Sequence, residues 1–235
     1  MLVDNLSSNS VQEVNTPNFT QSYRTQNIYE EILIENISFF TKLSIQHLFE
    51  PTNEDRYNQD FYIEMVRYFS AHNRGVILIP EFKDYVTTGA NRRKRVDFAF
   101  ISAIQGASTR KLYTVEAKRL PTDKSNGDRE TEYVYGQSKK DSGGIERFKT
   151  GSHGYQLPKS ALLGYIEEED FGYWHGEINE WISNKASSTP SEWNINEQLR
   201  DLFIDASQGY SITHSIANRE SNSINLFHLW VKIPN

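Results

Sequence analysis

The chain's 235 residues suit one domain with a substantial core, and 37% hydrophobic content is modest while 13% aromatic content supplies large packing groups. No apolar run approaches ~18 residues, Met1-Leu-Val-Asp-Asn5 lacks the basic and apolar stretches of a secretory signal, and cysteine is absent. These features speak against membrane, disulfide-stapled and thiolate-metal proteins, and the expectation is a cytoplasmic protein. The net charge of −6 suits no nucleic-acid binder until it is resolved along the chain. Residues 83–149 hold 15 basic and 9 acidic side chains, an excess of +6, while the remainder carries −12. Such asymmetry concentrates an anionic partner at one face.

Residues 1–26, dominated by Asn, Ser, Thr and Gln, read as a flexible arm, and residues 27–235 as a single domain. Ile28 to Phe49 has helical apolar spacing through Ile28, Ile32, Ile34, Phe39, Leu43 and Leu48, with a stop at Pro51. Asn53 caps a second helix to about His72, striped by Phe61, Tyr62, Met65, Val66 and Phe69 and ended by Gly75. Val76–Ile79 is a short strand, and Arg95–Ile101 and Leu112–Arg119 are two more. Ser142 caps a short helix from Gly143 to about Thr150, and Ala161–Ile166 is a buried strand. A helix near Glu168–Asn184 buries Trp174, Ile178, Trp181 and Ile182. Thr189-Pro-Ser-Glu192 has the capping-box pattern of a further helix to about Phe203. Tyr210–Ile216 and Ile224–Ile233 form a closing hairpin, which makes the whole an α/β arrangement with a mixed sheet.

Two of these strands carry charge where a buried strand ordinarily has none. Asp97 interrupts Val96, Phe98 and Phe100, while Glu116 and Lys118 flank Ala117. Side chains two apart share a strand face, with Cα atoms about 6.5 Å apart, so pairing the strands brings two carboxylates and an ammonium together. Such a group can hold a divalent cation and activate a water. The plainer reading is a cross-strand salt bridge, whose desolvation cost returns little stability.

Asp97, Glu116, Ala117 and Lys118, in this order on consecutive strands, resemble the motif of the PD-(D/E)xK nuclease superfamily, with Val-Asp standing where Pro-Asp is usual. The resemblance spans about residues 53–166 and implies a restriction endonuclease-like α/β/α core: a central mixed sheet, an N-terminal helix, and C-terminal helices plus the hairpin. It implies Mg²⁺, for which Mn²⁺ can substitute, held by Asp97, Glu116 and the Ala117 carbonyl, with Lys118 as the catalytic lysine. It also implies a further acid upstream. Glu81 closes the preceding strand and is preferred to Glu64, which helical phase turns about 130° from the apolar stripe.

Gly143-Gly-Ile-Glu-Arg-Phe-Lys149 opens a helix on glycines whose N–H groups can hold a phosphate, with Arg147 and Lys149 adding charge. The resemblance makes Arg147 the residue to reach the site. Gly143, Gly144, Arg147 and Lys149, together with Arg92, Arg93 and Arg95 in the basic turn, are the expected nucleic-acid contacts. The six histidines show no metal-ligand spacing, and His214 and His228 read as structural. The expected function is metal-dependent endonucleolytic cleavage of DNA in bacterial restriction or anti-phage defence, by a homodimer or beside a helicase or other effector. The alternatives are a non-catalytic module of the same fold that binds nucleic acid or such a partner, and a phosphodiesterase acting on RNA or nucleotides.

Overall fold

A computed structural model describes residues 27–47, 53–72, 75–84, 94–103, 111–122, 131–136 and 142–234. The N-terminal arm, Pro51, Arg92 and Arg93 lie outside the described residues. The elements are α1 (Ile28–His47), α2 (Glu54–His72), β1 (Val76–Asp84), β2 (Lys94–Ser102), β3 (Lys111–Leu120), α3 (Gly144–Lys149), β4 (Lys159–Ile166), α4 (Phe171–Ser188), β5 (Arg200–Asp205), β6 (Tyr210–Asn218) and β7 (Ser223–Lys232). The seven strands form one mixed sheet in the order β1-β2-β3-β4-β7-β6-β5. Its centre is parallel, β3 with β4 and β4 with β7, and antiparallel hairpins flank it on both sides.

Period-two alternation along the central strands builds a core on each face of the sheet. On β4, Ala161, Leu163 and Tyr165 enter the core under α1 and α2, while Leu162 and Ile166 enter the one under α3 and α4. On β7, Phe227, Leu229 and Val231 face the first core, and Leu226 and Trp230 the second. Because both faces are covered, these strands read as near-continuous apolar runs. Gly164 pairs with Trp230 across the β4–β7 ladder, and a Cβ there would stand 2.4 Å from Trp230 Cδ1. The indole needs the space that glycine leaves.

Asn53 caps α2 as expected, its Oδ1 accepting from Arg56 N at 2.9 Å. Three expectations are corrected. The buried face of α1 is Ile32, Leu33, Ile37 and Phe40, whereas Ile28 and Phe39 are exposed, because the helix packs on the sheet through a phase one residue away from the anticipated stripe. Gly143, not Ser142, is the cap residue of α3. The expected helix from residue 190 to Phe203 does not form: a 3₁₀ turn, Ile195–Glu197, leads into β5, which pairs with β6. Tertiary partners override the capping box there. The Asn179 side chain binds both the N–H (2.7 Å) and the carbonyl (3.2 Å) of Leu199, taking the backbone groups that a continuing helix would use. Only one C-terminal helix, α4, therefore precedes the hairpin.

The second core contains a polar chain. Trp230 Nε1 donates to Tyr133 Oη (2.8 Å), which lies 2.8 Å from His228 Nδ1, and His228 Nε2 lies 2.8 Å from Ser215 Oγ. With the indole donating, the Tyr133 hydroxyl proton turns to Nδ1, which assigns the proton of His228 to Nε2. The ring is fully buried, and burial pushes its pKa down to about 3, with the charges of His214 and His175 adding to that. His228 is thus structural, as expected.

Gly164→Ala is expected to cost about 1–3 kcal/mol by overpacking, measurable as a lowered urea midpoint. The His228 pKa is depressed in the folded state, so its contribution is complete above the unfolded value near ~6.5 and is lost as pH falls toward about 3. Urea midpoints measured from pH 7 to 4.5 should fall more steeply in the native protein than in His228→Asn.

Candidate active site

β2 and β3 pair from Ile101/Lys111 to Phe98/Val115, and the ladder then stops. Beyond it Asp97 supplies a side chain in place of a strand carbonyl: its Oδ2 accepts from Ala117 N at 2.7 Å. Its other oxygen accepts from Asn58 Nδ2 at 3.1 Å, and Asn58 is held in turn by the Tyr165 hydroxyl at 2.9 Å. The strands part at the charged residues, and the first acid spans the fork.

Glu116, 2% exposed, is met by side chains from three elements. Lys118 Nζ approaches its Oε1 at 3.0 Å, the Arg147 guanidinium from α3 bonds the same oxygen, and His153 Nε2 lies 3.2 Å from Oε2. Burial pushes the Glu116 carboxyl up, but Lys118, His153 and Arg147 together outweigh it and hold the group below the usual carboxylate range. Lys118 Nζ also donates to Ala117 O at 2.8 Å and to Glu54 Oε1 at 3.3 Å. Burial favours the neutral amine; Glu116, Glu54 and Asp97 overcome it and raise the Lys118 pKa. Asp97 moves the other way from Glu116: burial, then the charges of Glu116 and Glu54, push its carboxyl well above the usual range against the pull of Lys118 and the Ala117 N–H.

Glu54 and His153 are the members that the sequence reading missed. Glu54 was legible, since Tyr57, Phe61, Met65 and Tyr68 are the buried face of α2 and Glu54 and Asn58 share its phase. Glu54 Oε2 also accepts from Arg119 N at 3.1 Å, fixing the carboxylate against β3. The expected stripe, which ran through Tyr62, Val66 and Phe69, pointed elsewhere, and Val66 is exposed. His153 sits in Gly151-Ser-His-Gly154, a turn just after α3, with both glycines at positive φ (74° and 59°). No spacing rule flags it.

Other expected residues lie apart. Glu64 pairs with Arg67 on α2. Glu81 adopts φ 45°, and its exposed carboxylate meets the exposed Arg95 at 3.1 Å rather than joining Glu116. Gly143 and Gly144 are glycines for packing, because a Cβ would stand 2.1 Å from Tyr135 Cα and 2.8 Å from Tyr133 O, respectively. The N–H groups of Gly144, Ile145 and Glu146 donate to the carbonyls of Glu132, Tyr133 and Val134, so these donors are already used and do not cradle a phosphate. Lys149 is buried, bonded to Glu197 and to Asn218 O (3.1 Å) with its ammonium 4.7 Å from the Trp193 ring centre, and so faces no ligand.

The donor set suits a hard divalent cation. Asp97, Glu116 and Ala117 O offer oxygens beside one ammonium. Among the described residues no group of three or more His, Cys, Asp or Glu side chains is placed to hold a metal ion. Mg²⁺ needs only one or two carboxylates when water and phosphate fill its remaining positions. Comparison with family models, curated proteins and solved structures gives no match, so the chemistry rests on this geometry.

Lys149→Met is expected to strand the Glu197 carboxylate and cost about 3–5 kcal/mol in chemical denaturation.

Proposed function

We propose that the chain is a metal-dependent endonuclease of the PD-(D/E)xK type, with a restriction endonuclease-like fold, acting on DNA. The observation that carries this reading is the cluster at the β2–β3 fork, where Asp97, Glu116 and Lys118 surround the Ala117 peptide. A structural salt bridge does not need two acids from separate strands, a third from α2 and two cations on one buried carboxylate. Phosphodiester hydrolysis does, because negative charge grows on the phosphoryl and leaving oxygens.

In this reading Asp97, Glu116 and the Ala117 carbonyl would hold Mg²⁺ or Mn²⁺, which would lower the pKa of a bound water and offset the developing charge. Lys118, kept protonated by its three acidic neighbours, donates hydrogen bonds that orient the attacking water or a phosphate oxygen rather than taking a proton. Glu54 holds the ammonium in line. Arg147 is partly exposed and directs its guanidinium toward Glu116 from the solvent side, suiting it to a phosphate oxygen. The water oxygen bonds to phosphorus, the bridging P–O bond breaks, and a proton ends on the leaving hydroxyl. A role in bacterial restriction or anti-phage defence, acting as a homodimer or with a helicase or effector, is the biological setting we propose.

Plasmid, linear DNA and RNA incubated with Mg²⁺, Mn²⁺ or EDTA provide the test. Metal-dependent nicking of DNA should fall by at least about 10²-fold in both Asp97→Ala and Lys118→Ala with the fold retained by circular dichroism. Cleavage that survives both substitutions would refute the site. DNA binding without cleavage under every metal would favour the non-catalytic module.

A further inference from the structure

His153 is a buried imidazole without a conventional partner. The residue is 1% exposed, and its Nε2 makes no aligned hydrogen bond although Glu116 Oε2 stands 3.2 Å away. The other ring nitrogen, Nδ1, lies 3.0 Å from Ser152 O. A carbonyl only accepts, so Nδ1 carries a hydrogen, and Nε2 is the ring atom turned to the carboxylate oxygen. The nitrogen and a carboxylate oxygen face each other in a buried place, a pairing that a shared cation satisfies.

We propose that His153 Nε2 is a nitrogen ligand of the cation held by Glu116, and that the site therefore takes a divalent ion of the Mn²⁺ class in preference to Mg²⁺. The inference rests on the metal-site reading above and deepens it. Adjacent corners of an octahedron with bonds of ~2.1 Å stand about 3 Å apart, so the observed Nε2···Oε2 separation matches one edge without rearrangement. An Nδ1–H bound to a backbone carbonyl is the usual outer partner of a metal-ligating histidine, fixing both tautomer and ring orientation. Mg²⁺ prefers all-oxygen surroundings, whereas imidazole suits later divalent ions.

The loop that carries the ring is pinned before any ion arrives. Arg219, at the β6–β7 turn, donates to the carbonyls of Phe148 (2.7 Å), His153 (3.3 Å), Gly154 (3.0 Å) and Leu157 (3.4 Å). A Cβ at Gly154 would meet Ser160 Oγ at 2.8 Å, so the turn lies hard against β4. Ligand positions held this way are preorganised.

Electron spin-echo spectroscopy of the Mn²⁺-loaded, untagged full chain decides the matter, with calorimetric titrations of Mn²⁺ and Mg²⁺ alongside. Imidazole nitrogen modulation is expected on the Mn²⁺ signal, shifting when the chain carries ¹⁵N-labelled histidine. His153→Gln and His153→Asn should remove it and weaken Mn²⁺ binding about 10–100-fold, with a smaller loss for Mg²⁺. Mn²⁺ bound without histidine modulation would overturn the proposal and leave His153 an ion-pair partner of Glu116. Modulation persisting in both variants, or no Mn²⁺ binding at millimolar concentration, would overturn it too. The two readings fail separately. Histidine-coupled Mn²⁺ on a protein that cuts no nucleic acid supports the ligand and refutes the nuclease, whereas cleavage without the coupling refutes the ligand alone.

Discussion

A carboxylate buried in the second face of the sheet sets the terms for its surroundings. Glu116 stays ionised there only because Lys118, Arg147 and His153 converge on it from a strand, a helix and a turn. Each of those elements must be placed to within a hydrogen-bond length, which ties α3 and the 151–154 turn to β3. Asp97 has the complementary role, bonding the Ala117 N–H where the ladder ends so that the two strands can diverge without leaving that donor unpaired. The fork and the buried carboxylate are one construction. Opening the sheet makes room for charge, and charge from neighbouring elements fills the opening.

The sequence disclosed this construction unevenly. β2, β3 and the order of their charged residues were readable, because alternation in a strand is local and Asp97, Glu116 and Lys118 break it visibly. Arg147 was readable as the charge on the short helix that follows. Glu54 was in reach, but taking Tyr62, Val66 and Phe69 rather than Tyr57 as stripe members turned the helix face away from it. His153 depends on a turn whose position is fixed by Arg219, some 66 residues downstream, and no local pattern encodes that. The misread helix after residue 189 fails for the same reason, since Asn179 captures Leu199 across a chain reversal.

Charge bookkeeping along the chain also takes on a different meaning in three dimensions. The basic excess of residues 83–149 suggested a positive face. Among the described residues much of it is matched by acids from outside that segment: Lys118 meets Glu54, Arg119 forms a two-pronged pair with Glu167 (2.8 and 2.6 Å), and Lys149 meets Glu197. The opposite signs of the two parts of the chain therefore serve folding, bringing segments distant in sequence into register around the site. Arg147, partly exposed beside Glu116, is a cation of this set with access to solvent at the cluster itself.

The grip of Arg219 on the 148–157 loop has a consequence for the order in which the molecule matures. Asn218, the last residue of β6, and Arg219, in the bend of the last hairpin, between them hold Lys149, the His153 turn and the end of α3. A chain still emerging from the ribosome has Asp97, Glu116 and Lys118 long before it has that bend. Its fork can form while the turn that brings His153 to Glu116 is still unfastened. The surroundings of Glu116 are thus completed by a bend that is made after β3, α3 and the turn itself.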